Sequence, residues 1–326
     1  MPSSVLCLRP QVEFQRAGAL PPSSLEVTYR TADDPQLVEF IRAAHAVVLA
    51  PTGVKIAGAL FEGSPVKLVQ VTGTAVDRLD EPVLRKLGIA VANVPGASNS
   101  AVAQYCVAAA IMLLRRLTWS DAEIRDANYA PFRGRMVLDN LPGLEGLTVG
   151  IIGLGEVGSA VAAAFRLFGC RIIFNDHGTP DPAVVSRLEA RAAPLEDVLR
   201  ESDVVSLHLP LLPQTRSMFG AHRLGLMKPG AILINASRGG IVNETALAAH
   251  LNSGRLGGAA VDVYSEEPPD TDNPLLTLEG EGARRVLFTP HVAGVTRQAN
   301  ALPLAQAWAN IERVLVMGEP ARFRVY

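Results

Sequence analysis

Three features of this 326-residue chain predict an α/β fold built on parallel sheets. Short, almost wholly apolar runs recur along it, helical patterns separate those runs, and the alternation restarts after one long apolar helix. Strands apolar on both faces must be covered on both faces, which is what helical crossovers in a parallel sheet provide. At roughly 150 residues per domain the length suits two units, one over about 1–98 and one over about 99–290.

In the first unit the strand candidates are Val5–Leu8, Leu25–Tyr29, Ala46–Ala50, Lys67–Val71 and Ile89–Asn93. Helices are predicted over Pro35–Ala44, Val54–Glu62 and Asp80–Leu87, the last with Asp80 as N-cap and Pro82 in its first turn. A long helix from about Asn99 to Asp126 opens the second unit. Its apolar run Ala101–Leu114 is shorter than the about 20 residues a bilayer needs, so it reads as a buried helix. Further strands are expected at Leu147–Ile152, Arg171–Phe174, Asp203–Leu209, Ala231–Asn235, Gly258–Val263 and Val286–Thr289. Helices between them include Glu156–Phe168 and Glu244–Asn252, capped by Asn243 and closed by Gly254. Ser265–Gly282 reads as a surface loop, and a last helix covers about Val295 to Val316.

Composition removes several classes of function. Apolar residues make up 48% of the chain, too many for a disordered protein. Thirty basic against 32 acidic residues leave a net charge of −2, so no global basic excess draws nucleic acid or an anionic membrane. Cys7, Cys106 and Cys170 lie far apart, signalling neither a metal site nor a disulfide framework and fitting reduced thiols in a cytoplasmic protein. The N-terminus lacks the basic start and long apolar run of a signal peptide.

Gly153-Leu154-Gly155-Glu156-Val157-Gly158 joins a predicted strand to a predicted helix, and Asp176 ends the next strand 18 residues beyond Gly158. Gly153 suits a tight turn, Gly155 an approaching pyrophosphate and Gly158 close packing of helix on strand. The helix start, with Glu156 and Val157, then faces phosphate charge. Asp176 is placed to accept from ribose hydroxyls and to repel a 2′-phosphate, which predicts NAD over NADP. Flavin and S-adenosyl ligands use similar turns, so the glycines alone leave the nucleotide open.

Three polar residues each follow a separate strand on the side of the glycine turn. Arg238, in Asn235-Ala236-Ser237-Arg238, has a planar fork that can hold a carboxylate. Glu267 follows Asp262 in the next connection and can accept from an imidazole N–H. His291, in Thr289-Pro290-His291, can exchange a proton near neutral pH. Among the six histidines His208 is its main rival.

Together these residues resemble the D-isomer-specific 2-hydroxyacid dehydrogenase family. The likeness rests on Gly153–Gly158 with Asp176, His208-Leu209-Pro210 with Thr215, Met227–Gly230 running into Asn235–Gly240, Asp262 through Pro268, and Pro290–Gly294. Gly73-Thr74-Ala75-Val76-Asp77 is similar to the family's substrate loop and Asn93-Val94-Pro95 to its domain crossover. The resemblance implies two Rossmann/flavodoxin-like parallel-sheet domains with an interdomain cleft. Residues 1–98 plus 292–326 would form the substrate domain and 99–291 the NAD-binding domain. A homodimer would form through the long helix of the latter.

The resemblance also implies roles. Arg238 would bind the substrate carboxylate and polarise its 2-oxo group, and His291 would exchange the proton. Glu267 would orient the imidazole and favour its charged form. Gly73, Thr74 and Ala75 would complete the carboxylate site. NAD would lie along Gly153, Gly155, Glu156, Val157, Gly158 and Asp176, with His208, Pro210, Thr215, Ala236, Asp262 and Gly294, and with Asp262 beside the nicotinamide carboxamide.

The chain departs from the family pattern in places. Ala75 replaces a loop glycine and Gln104 stands where many members have glutamate. The loop Leu49–Gly53 lacks the arginine that often meets a substrate phosphate, and a regulatory extension of the phosphoglycerate dehydrogenase kind is not expected after Tyr326. The expected activity is thus NAD-dependent hydride transfer on a small 2-oxo or 2-hydroxy acid, either glyoxylate/hydroxypyruvate reductase-like or phosphoglycerate dehydrogenase-like. The alternatives are an NAD(H)-sensing, corepressor-like binder on the same fold and a relative acting on formate or phosphite. The segment Trp119–Arg135, whose basic residues the motifs leave unexplained, is a candidate to reach a site, its own or a second subunit's.

Overall fold

A computed structural model describes residues 2–326. The chain forms two compact units, one from the residues up to Ser98 together with Val295–Tyr326, the other from Asn99–Gly294.

The first unit holds five parallel strands: β1 (Ser3–Cys7), β2 (Leu25–Tyr29), β3 (Ala46–Leu49), β4 (Leu68–Val71) and β5 (Ala90–Ala92). Their order is β2-β1-β3-β4-β5, the flavodoxin-like arrangement. β3 and β4 are buried at every position, because helices cover both faces. One cover is the C-terminal helix Arg297–Leu315, whose Trp308 stacks at 4.8 Å on Phe14 and donates its indole N–H to the Ala19 carbonyl at 2.8 Å. The chain end then pairs antiparallel with β5, Val325 N–H donating to Val91 O and Val91 N–H to Tyr326 O. A sheet edge is thereby closed.

The second unit continues with β6 (Thr148–Ile152), β7 (Arg171–Asn175), β8 (Arg191–Ala192), β9 (Val204–Leu207), β10 (Ile232–Asn235), β11 (Gly258–Val261) and β12 (Val286–Phe288). All pair in parallel in the order β12-β11-β10-β9-β6-β7-β8. Read from β6, this is the dinucleotide-binding order 3-2-1-4-5-6 with one strand added. The direction of winding reverses between β6 and β9, where such sheets open a crevice for ligands. The helix Asn99–Leu114 packs its Val102, Cys106, Ala110 and Leu113 into the same core as Val161 and Phe165 of the helix Glu156–Leu167. Cys7, Cys106 and Cys170 are buried and form no disulfide.

Two predicted helices differ from those observed. The run Val54–Glu62 contains a single 3-10 turn, Gly58–Phe61. Gly53 lies in the left-handed region (φ +111°), and the Arg78 side chain takes the Val54 carbonyl, which a helix starting there would need, along with the preceding carbonyls of Ala50 and Thr52. The long helix Asn99–Asp126 breaks into Asn99–Leu114 and Leu117–Arg125, bent by 56°. Arg116 turns left-handed (φ +49°) at the break and lays its guanidinium 4.9 Å from the Trp119 ring. A further helix, Tyr129–Asp139, follows. Among the described residues no single helix is long and apolar enough to cross a membrane.

Candidate active site

The glycine turn leaves the central strand β6 at the point where strand order reverses. Gly153 has φ +92°, and a Cβ there would stand 2.4 Å from the His208 carbonyl oxygen. A Cβ on Gly158 would stand 1.9 Å from the Gly153 carbonyl oxygen. A Cβ on Gly155 would meet nothing within 4 Å. Two of the glycines are thus demanded by crowding inside the protein. The third borders open space at the start of the helix Glu156–Leu167, whose first turn holds Glu156 and Val157.

Asp176, just beyond β7, folds back on this turn. One oxygen accepts from Leu154 N–H at 2.6 Å, the other from Gly178 N–H at 2.8 Å. It lines a cavity of about 780 Å³ with Gly178, Thr179, Pro182, Val185 and Ala193. Beyond β9, Thr215 organises the next loop, accepting from Leu212 N–H and donating to Pro210 O, each at 2.7 Å. His208 meets Ser206 Oγ through Nε2 at 2.9 Å, while its Nδ1 is buried without a partner. Burial pushes the imidazole down to about 3, so it stays neutral at working pH. A nucleotide fits this set: open space at Gly155, a carboxylate that lines a cavity and bonds back to the glycine turn, and an unsatisfied buried nitrogen on the neighbouring strand end.

Three connections meet farther along the same sheet. After β10 the side-chain amide of Asn235 fixes a tight turn, donating to Arg238 O at 3.2 Å and accepting from Ser237 Oγ at 2.8 Å. Gly239 lets that turn press against the next connection, since a Cβ there would stand 1.6 Å from Tyr264 O. In that connection Glu267 accepts from Tyr264 N–H at 3.2 Å through Oε1 and meets His291 Nδ1 at 2.8 Å through Oε2. Burial alone would raise the Glu267 carboxyl. The His291 hydrogen bond and charge, the Tyr264 N–H and the nearby Arg238 charge outweigh it, holding the group below its ordinary value. An ionised carboxylate only accepts, so Nδ1 carries the proton and Nε2 is left to exchange one.

His291 itself is left-handed (φ +54°), an uncommon conformation outside glycine, and Asp262 holds it there. The Asp262 carbonyl accepts from His291 N–H at 2.8 Å, and its buried carboxyl accepts from Val292 N–H at 2.8 Å and Ala293 N–H at 2.9 Å. The same carboxyl accepts from Thr289 Oγ1 at 2.6 Å. The sequence points to Asp262 but not to this grip, and it assigns no role to Tyr105, Tyr264 or Thr289. Their signal is a hydroxyl on otherwise apolar elements, which shows its purpose only in three dimensions. Ala236 and Gly294 flank these turns.

In the first unit, Gly73 packs so closely on Pro51 that a Cβ would lie 2.7 Å from its ring. The Thr74 carbonyl accepts from Asn93 Nδ2 at 2.7 Å, and Ala75 follows in the same loop.

Residues 107–293 match the D-isomer specific 2-hydroxyacid dehydrogenase, NAD binding domain family, more than half of the chain. The chain belongs to the D-isomer-specific 2-hydroxyacid dehydrogenase family. Its nucleotide is NAD, and its class is the NAD-dependent 2-hydroxyacid oxidoreductases. The glyoxylate reductase of Thermococcus litoralis is 35% identical over 268 residues, 81% of this chain and 78% of that protein. The D-3-phosphoglycerate dehydrogenase of Methanocaldococcus jannaschii is 32% identical over 283 residues. The match covers 86% of this chain but only 51% of that longer protein. A solved structure from Thermus thermophilus superposes with a TM-score of 0.85 at 30% identity, covering 99% of this chain and all of the other. Arg238, Glu267 and His291 of this 2-hydroxyacid dehydrogenase all fall inside the matched segment.

Proposed function

We propose that this dehydrogenase interconverts a small 2-oxo acid and its 2-hydroxy acid, with glyoxylate or hydroxypyruvate as the acceptor class, through Arg238, Glu267 and His291. The observation that carries the reading is the 2.8 Å contact between His291 Nδ1 and Glu267, made within the electrostatic reach of Arg238. Bound NADH supplies the hydride, with its electron pair, to substrate C2. Arg238 pairs with the substrate carboxylate and draws electron density from the 2-oxo group. His291 Nε2 gives its proton to the oxygen that becomes the hydroxyl. In oxidation the same nitrogen takes that proton back. Glu267 keeps the ring in the tautomer that allows both directions. Gly73, Thr74 and Ala75 offer backbone N–H groups to a carboxylate. Gly153, Gly155, Gly158 and Asp176 hold the dinucleotide, with His208, Pro210, Thr215, Ala236, Asp262 and Gly294 along its course.

The loop of residues 49–53 favours a small substrate over a phosphorylated one. The buried guanidinium near it, Arg78, gives its hydrogen bonds to Ala50, Thr52 and Val54 carbonyls at 2.7–3.0 Å and so is committed to shaping the loop. A homodimer accords with the reading, for Leu117, Ile124, Tyr129, Val137 and Leu138 are apolar and exposed on the helices after Asn99–Leu114.

The test is turnover. NADH absorbance is followed with glyoxylate, hydroxypyruvate, pyruvate, bulkier 2-oxo acids and the phosphorylated acid. Oxidation by the small acids supports the reading. NADH binding with no oxidation across the panel contradicts it.

A further inference from the structure

We propose that Tyr105 and Tyr264 are positioning residues that clamp Thr289 and so hold the His291 loop in register with Glu267. The proposal rests on the acid–base reading of His291 given above.

The clamp is built from four hydrogen bonds. Thr289 Oγ1 donates to Asp262 at 2.6 Å, and it lies 2.8 Å from the Tyr105 hydroxyl. Since the threonine proton is already directed at the carboxyl, the tyrosine must be the donor in the second contact. The Tyr264 hydroxyl donates to the Thr289 carbonyl at 3.1 Å, with the Val261 carbonyl as a second acceptor at 3.3 Å. Backbone N–H of the same Tyr264 donates to Glu267 at 3.2 Å. One residue therefore bonds to Glu267 through its main chain and, through its side chain, to Thr289, two residues before His291.

The two tyrosines come from different places. Tyr105 lies on the helix Asn99–Leu114 and reaches the strand end from the core side, while Tyr264 lies in the connection after β11. Neither hydroxyl is required for packing: phenylalanine would fill the same volume. Burial pushes both phenols upward, so neither exchanges protons at working pH and both remain donors. Thr289 lies two residues before a left-handed histidine whose conformation the local chain does not favour. Fixing Thr289 by hydroxyl and carbonyl together removes the freedom by which that histidine would relax. An imidazole misplaced by about 1 Å costs rate far more than it costs binding.

The experiment compares the full-length wild type with Tyr105→Phe, Tyr264→Phe, the double variant, Thr289→Val and Thr289→Ser. Readouts are kcat and KM for the 2-oxo acid, the pH profile of kcat, NADH affinity by fluorescence, and Tm. Each tyrosine variant is expected to lower kcat about three- to tenfold, and the double variant more, with KM and NADH affinity within about twofold. The pH profile of kcat should shift, because the imidazole–carboxylate pair is no longer held in one geometry. Thr289→Ser should retain activity that Thr289→Val loses. Unchanged kcat and pH profile in the double variant would overturn the clamp. So would a loss of kcat matched by NADH affinity and Tm, which marks a general structural role. His291→Asn separates the two readings: if it keeps wild-type kcat, the acid–base assignment itself fails. If it is inactive while the tyrosine variants behave as wild type, only the clamp fails.

Discussion

Glu267 and His291, from two different strand ends, meet at 2.8 Å through the Nδ1 nitrogen, which turns Nε2 toward chemistry. The carboxylate makes this possible by accepting from two sides, the imidazole and the Tyr264 backbone. A geometry this specific lets each participant be tested separately.

Glu267→Gln keeps an oxygen for Nδ1 but loses the charge. It should lower kcat about 10- to 100-fold while NADH binding holds, read by steady-state kinetics and fluorescence titration. The wild type should also show an acid limb. The folded-state value of Glu267 is depressed, so the stability from its ionised form is fully present above the ordinary carboxylate value of 4.5. That contribution is lost as pH falls through the lower folded value. Denaturation midpoints of the wild type and Glu267→Gln should converge in that acid range and separate above it.

His208 carries a different pH signature. Its folded value of about 3 lies below the ordinary 6.5, so the unfolded chain binds the extra proton between those limits. Stability should fall as pH drops from about 6.5 toward 3, and His208→Gln should flatten that fall. Equal acid sensitivity in the variant would show that other groups govern it.

Asp176 both lines a cavity beside the glycine turn and caps that turn through Leu154 N–H. Asp176→Ala should weaken NADH binding by about tenfold and relax discrimination against NADPH. A change in NADPH affinity without loss of NADH affinity would deny the capping role.

Arg78→Met leaves the carbonyls of Ala50, Thr52 and Val54 without their buried donor. A destabilisation of about 2–4 kcal/mol and a raised KM for the 2-oxo acid are expected, with NADH affinity unchanged. Chemical denaturation and steady-state kinetics check the two parts.

Much of the fold was legible because parallel strands advertise themselves. Val47, Val69, Val205 and Leu233 lie in runs with no polar alternation, and only strands buried on both faces tolerate that. The nucleotide turn was legible because Gly153 and Gly158 are forced by collisions that any such turn would meet. The helix break at Arg116 was not, since an arginine carries no breaker signal and its contact with Trp119 shows only in three dimensions. The two-residue strand β8 is too short to leave a pattern. At the site, Arg238, Glu267 and His291 could be picked out by residue type at strand ends. Tyr105, Tyr264 and Thr289 could not, because their hydroxyls matter only through distances between segments far apart in sequence. Arg78 belongs to no motif, and its carbonyl partners show only in three dimensions.

The most direct test of the central claim is the turnover of His291→Asn and Arg238→Ala measured beside their NADH dissociation constants. Each should lose at least about 10²-fold in kcat/KM for the 2-oxo acid with NADH affinity within about twofold of wild type. Turnover near the wild-type rate in either variant, with NADH still bound, would contradict it.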